Sequence, residues 1–406
     1  MTSSQPCSVS PAAGDPSVRA VSRRALIAAV HPDPRGFAEI AAADARRIDW
    51  RWVLHCARAH KIAALVAARM EVGAVMEHID EGVSERLRDI RCRTHLRVDA
   101  AVGTLHQLAR EFTRAEIPFL VIKGSVLAEH VYGNPELRPF EDVDVVVSPD
   151  RVTAAERVMR ALGYRFSQIR QLLSATPRNE TEARLAELVT RRFYERFHYE
   201  LPFAPASREG WLPVDVHWHI APRARLPIHA AQLWNHTSPT VVAGVPVATL
   251  DLEATLIHLA LHASTCSLAG FRLLPLCDVA WATTRFGDQY QRLWALADAW
   301  GVRSQVETVL TIVDRVLGVP PPERIRREMS PSVAGGFGFP AVARPAFLID
   351  QTDRASVSWP RRVYNELLWD LAMRCLGYNV IRGVRVRASR LRWRLMCWRA
   401  RGSSRG

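Results

Sequence analysis

The chain has 406 residues, 48% of them hydrophobic and 23% charged, with no long low-complexity tract. That composition fits a globular protein of two or three cored domains and excludes a fibrous or fully disordered one. No uncharged run approaches the ~18 apolar residues of a membrane span, and the net charge of +13 favours anionic partners.

Residues 1–21 are small, polar and proline-bearing, lack the apolar centre of a secretory signal, and are expected to form a disordered leader. From 22 to 113, stretches such as WRWVLHCARAHKIAALVAARM carry apolar residues at three-to-four spacing and predict a helical N-terminal region. At 114 the period changes. IPFLVIKG reads as a buried strand ending in a glycine turn, SVLAEHVY as a helix and GNPELRP as a loop. DVDVVV is the next strand, followed by a helix in SPDRVTAAERVMRALGY that Gly163 stops, with Ser148 and Asp150 as candidate caps. The charged stretch 167–196 reads as helical, and FHYELPF and VDVHWHI as two further strands that close a core at 222. Helices return at DLEATLIHLALHA and fill a C-terminal helical region, 223–350. A basic helical tail, 351–406, ends in nine arginines and no acid from Arg382 onward. The expected fold class is α+β: a small mixed sheet flanked by N- and C-terminal helical regions.

Seven cysteines lie in no metal-ligand spacing, which predicts free thiols in a reducing cytoplasm. Only Lys61 and Lys123 are lysines among 54 basic residues. A lysine kept in so arginine-rich a chain suggests that its compact ammonium is wanted.

The chemistry concentrates in RPFEDVDVVV. Residues two apart on a strand share a face, so Asp142 and Asp144 stand side by side. At ~4 Å and an effective dielectric of ~20 they repel by about 4 kcal/mol. A cation, an arginine or water must offset this. A third carboxylate, Asp215, opens the later strand VDVHWHI. A strand–Gly–Ser–helix turn, an Asp-x-Asp strand and a later strand aspartate are what a nucleotidyltransferase site requires. Three carboxylates then hold two magnesium ions, and triphosphate oxygens complete the coordination. Gly124 and Ser125 would form the phosphate-binding turn, with Lys123 and Arg138 as the nearest cations.

The segments FLVIKGSVLAEHVYGNPELRPFEDVDVVV and VDVHWHI resemble the uncharacterised nucleotidyltransferase family of the polymerase-beta superfamily, which pairs a KG turn with an R…DxD strand and a DLHW-type strand. The resemblance extends into the helical LIHLALHASTCSLAGFRLLPLCDVAWA and is expected to cover ~22 to 350. It implies Asp142, Asp144 and Asp215 as metal ligands, Gly124 and Ser125 as the phosphate turn, and a nucleoside triphosphate as donor. Family members often lie beside peptide- or polysaccharide-tailoring genes, which implies an acceptor of that kind without identifying it.

Blander readings stand beside these. Lys123 also suits a strand end, and Arg138 a salt bridge to Glu141. His217 and Trp218 suit packing. His258 and His262 have the four-residue spacing of a zinc pair but lack the metalloprotease glutamate, so core histidines are favoured. The tail 379–406 is a candidate contact for an anionic membrane, nucleic acid or an acidic protein, or simply a solvated end helix. Two rival functions follow: an Asp-x-Asp glycosyltransferase using a sugar nucleotide, which has no need of Asp215, and a catalytically silent module acting through its basic tail. Deleting 379–406 abolishes function only under the last, whereas Asp142→Asn abolishes it only under the two enzymatic readings.

Overall fold

The computed structural model describes residues 15–71, 74–138, 140–167, 188, 191–192, 194–195, 198–207, 210–221, 228–265, 272–330 and 349. The expectations for residues 1–14, most of 167–196 and the tail 351–406 lie outside them. Helix α1 (Pro16–Val30) starts inside the stretch expected to be a disordered leader, because Asp15 caps it and Pro16 suits its first turn. The Ser17 amide donates to Asp15 Oδ1 at 2.7 Å. Helices α2 (Arg35–Asp44), α3 (Trp50–Ala59), α4 (Ala63–Met70) and the long α5 (Glu81–Arg114) complete the N-terminal helical layer.

Seven strands make one mixed sheet: β1 (Phe119–Ile122), β2 (Val143–Val147), β3 (Tyr164–Phe166), β4 (Glu200–Pro205), β5 (Val214–His217), β6 (Thr237–Val242) and β7 (Val245–Leu250). Their order is β3-β4-β5-β2-β1-β7-β6. The pairs β2–β5 and β1–β7 run parallel, and the others antiparallel. The fold is α+β. The sheet continues past residue 222 through the β6–β7 hairpin. Its two-residue turn, Ala243 at φ 52° and Gly244 at φ 76°, takes the left-handed geometry that matches strand twist. Helix α6 (Gly124–His130) follows β1 directly, and α7 (Val152–Ala161) follows β2, beginning just beyond Ser148 and Asp150, which bond to each other.

The two faces of the central strands belong to different cores. Val121, Val143, Val145, Val147, Val214 and Val216 pack with Leu105, Leu108 and Phe112 of α5. Leu120, Ile122 and Val146 face the other way, into a core shared with the N-terminal helices, α8 (Ala230–Trp234), α9 (Leu252–Thr265) and α10 (Leu274–Phe286). Trp218 packs in the first core, as its strand parity predicts. Asp144 shares the parity of Val146, so it is directed to the second face.

A buried ion pair ties α10 to the loop before β2. Arg138 donates through Nε to Asp278 Oδ1 at 3.1 Å and through Nη2 to Oδ2 at 2.8 Å. The Tyr132 hydroxyl donates to the same Oδ1 at 3.0 Å, and its ring stacks on Trp281 at 4.5 Å. Arg138 therefore pairs with Asp278, not with Glu141. Replacing Asp278 by alanine leaves a buried guanidinium unpaired and is expected to cost about 3–5 kcal/mol in urea denaturation. Asp278→Asn, which keeps an acceptor oxygen, is expected to cost less.

Candidate functional site

The site lies where β1 ends and β2 and β5 begin. Antiparallel pairing sets Ile122 against Asp144, and parallel pairing sets Asp144 against Asp215. Because β5 runs alongside β2, Asp215 and His217 project from the face that carries Asp144. Asp142 immediately precedes β2. Asp142, Asp144, Asp215, Lys123 and Arg138 all line one cavity of about 520 Å³. That size suits a small-molecule or nucleotide site.

Asp144 is the anchor. It is 5% exposed, and its Oδ1 lies 2.8 Å from Lys123 Nζ and 2.8 Å from His217 Nε2. Burial would raise its carboxyl, but Lys123 and His217 outweigh burial and hold it well below the usual carboxylate range. Burial likewise opposes the Lys123 charge, yet Asp144 raises the ammonium above an ordinary lysine. Asp142 has no such partner. Burial and the neighbouring Asp144 raise its carboxyl to about 6. Asp215 is raised well above the usual range by burial, then by Glu200, Asp142 and Asp144.

Among the described residues, metal-capable atoms of Asp144, Asp215 and His217 lie within 4.8 Å of one another. His217 thus contributes more than packing. Its Nδ1 lies 3.4 Å from Glu200 Oε2 and makes no hydrogen bond. The sequence did not single out Glu200 or Tyr199, which also line the cavity. The signal for Glu200 is positional only: it pairs with His217 across the β4–β5 ladder.

The Gly-Ser turn has a different arrangement from the one expected. The positive φ falls on Lys123, at 50°, rather than on Gly124. A Cβ at Gly124 would meet Phe140 and the Asp142 carbonyl at an ordinary 3.5 Å. Neither Gly124 nor Ser125 lines the cavity; Lys123 presents the turn to it. The Ser125 Oγ is buried without a hydrogen-bond partner, an open valence suited to a phosphate oxygen.

Both lysines of the chain are here. Lys61, also at positive φ (60°), lines the cavity and pairs with Glu141. Strained non-glycine positions of this kind persist where surrounding interactions over-determine them. His258 is buried, and burial with the nearby Lys123 charge pushes it well below an ordinary histidine. His262 lines the cavity and is lowered to about 3 by the same causes. Their ring centroids are 6.5 Å apart.

Over residues 46–318 the chain matches the family described as uncharacterised nucleotidyltransferase. It belongs to that family. Two solved structures of the antibiotic-resistance factor ANT(2'')-Ia are similar at 16% identity and a TM-score of 0.32. One is a solution structure and the other a crystal structure in complex with adenylyl-2''-tobramycin. They cover 50% of this chain, and 92% and 98% of their own. No curated protein matches it. In this nucleotidyltransferase the donor set is mostly hard carboxylate oxygen with one imidazole, which fits a divalent cation of the magnesium or manganese type. No helix among the described residues is long and apolar enough to cross a membrane. Cys56, Cys92 and Cys277 are free thiols.

The raised Asp142 carboxyl has a consequence for stability. Its folded value of about 6 exceeds the ordinary 3.8, so its contribution is full below ~3.8 and lost as pH rises through about 6. Asp142→Asn is therefore expected to stabilise the metal-free protein near pH 7.5 by about 2–3 kcal/mol, and to do little near pH 3.5. Denaturation midpoints at the two pH values check this.

Proposed function

We propose that this nucleotidyltransferase moves a nucleoside monophosphate from a magnesium-bound nucleoside triphosphate to an acceptor hydroxyl or phosphate, releasing pyrophosphate. The observation that carries the reading is the register of Asp144 against Asp215 on parallel strands, beside Asp142 and in one cavity with Lys123. Asp144, Asp215 and His217 form the cluster that a cation would enter, and Asp142, on the same cavity just before β2, would complete the set. Bound magnesium neutralises triphosphate charge and the crowding of the carboxylates.

The remaining work falls to the chain's own residues. The acceptor oxygen bonds to the α-phosphorus while the bond from that phosphorus to the bridging oxygen breaks. Pyrophosphate leaves with the electron pair. Asp215, in register with Asp144 at the cavity, is the group suited to take the acceptor's proton. Lys123 fixes Asp144 in its ionised form, and the open Ser125 hydroxyl suits a phosphate oxygen. Phe140 and Tyr199 offer aromatic surface in the cavity wall for the base. Catalysis of this type rests on positioning and charge neutralisation, with no covalent nucleophile. The glycosyltransferase reading gives Asp215 no task, whereas here it stands in register with Asp144. We set the reaction in a reducing cytoplasm, as the cysteine pattern suggests, and on a peptide or saccharide under tailoring, as the family resemblance suggests.

Calorimetry with each of the four triphosphates tests the donor step. At least one is expected to bind only when magnesium is present. Asp142→Asn/Asp144→Asn is expected to weaken that binding by more than about tenfold, ~1.4 kcal/mol. Binding that survives both chelation and the double substitution would sink the proposal.

A further inference from the structure

The cavity has two walls of opposite character. On the sheet side stand Asp142, Asp144, Glu200 and Asp215 around Lys123. The opposing wall comes from elements far apart in sequence: Arg58 near the end of α3, Lys61 after it, Arg93 and Arg97 one turn apart on α5, and Arg272 just before α10. Two of these cations are committed. Arg93 Nε lies 2.6 Å from Asp89, and Lys61 pairs with Glu141. Arg58, Arg97 and Arg272 line the cavity, are exposed, and make no ion pair among the described residues.

Three uncommitted guanidinium groups around one space repel one another unless an anion sits among them. Their planar forks match a carboxylate or phosphate. The donor's phosphates already have their partners on the other wall, in Lys123 and the carboxylate-held cation.

We propose that Arg58, Arg97 and Arg272 bind an anionic group on the acceptor, which is therefore a phosphate- or carboxylate-bearing compound rather than a neutral or cationic one. The inference rests on the donor reading above for the assignment of the two walls. It deepens that reading by giving the acceptor a charge.

The test loads the full chain with magnesium and a non-hydrolysable analogue of the triphosphate it binds. Inorganic phosphate, acetate and spermidine are then titrated in separately. Phosphate or acetate is expected to bind the loaded protein, and spermidine is not; whichever of the two anions binds more tightly identifies the anionic group. Arg97→Ala/Arg272→Ala is expected to weaken the anion at least tenfold while changing analogue affinity less than twofold. Both side chains are exposed, so the variant should fold, and a matching thermal midpoint shows that it has. The inference is overturned if neither anion binds the loaded protein, if spermidine binds as well as they do, or if the variant loses the analogue as much as the anion. That last result would assign the arginines to the donor. If no triphosphate analogue binds the wild type, the donor reading fails instead. Phosphate titrated into the free protein then decides the arginine site: binding that the variant loses supports it, and no binding overturns it.

Discussion

A carboxylate placed inside an apolar strand organises this protein. Asp144 lies in β2 among four valines, and its charge is held by Lys123 from the end of β1 and by His217 from β5. Three adjacent strands are thereby tied at one oxygen. A slip of one residue in β2 would turn Asp144 toward the core of Val121, Val145 and Val216, where no cation waits. Strand register and site geometry are therefore one constraint. The same constraint explains why the neighbouring carboxylates differ so much. Asp144 is paid for by two partners, while Asp142 and Asp215 share its surroundings without an ion pair of their own and hold their protons more tightly.

Around this anchor the rest of the wall is built from distant segments. Arg138 is fixed by Asp278, so a residue of α10 sets the position of a cation at the cavity. Lys61 comes from the turn between α3 and α4 and reaches Glu141 beside the first aspartate. Both lysines sit at positive φ, a costly backbone state for a residue with a side chain. Each is retained by an ion pair at the cavity. The N-terminal helices, the sheet and the C-terminal helices thus meet at the cavity, which makes the helical layers part of the site and more than a scaffold for it.

Much of the fold was legible because it follows local periodicity. The strands β1, β2, β4 and β5, the helix after Gly124 and the helix that opens at 252 stand where the spacing of apolar residues puts them. The β6–β7 hairpin was missed, although VVAGVPVATL alternates and its Ala-Gly pair makes a two-residue turn, because its strands are half exposed and contain prolines. The start of α1 is hidden in the sequence because Asp15 and Pro16, its cap and first turn, share the polar, proline-bearing composition of the residues before them.

The sequence by itself determined which carboxylates share a face. The two-residue period of a strand sets Asp144 with Val146 and Asp215 with His217, while Asp142, just before β2, reaches the same cavity from outside the strand. Which face meets which, and at what register, was decided by the parallel pairing of β2 with β5, a contact between residues about seventy positions apart. The partners followed from the same source. Asp278 for Arg138, Glu141 for Lys61, and the arginine wall all depend on where α10, α5 and the α3–α4 turn pack over the sheet, and no local pattern encodes that distance.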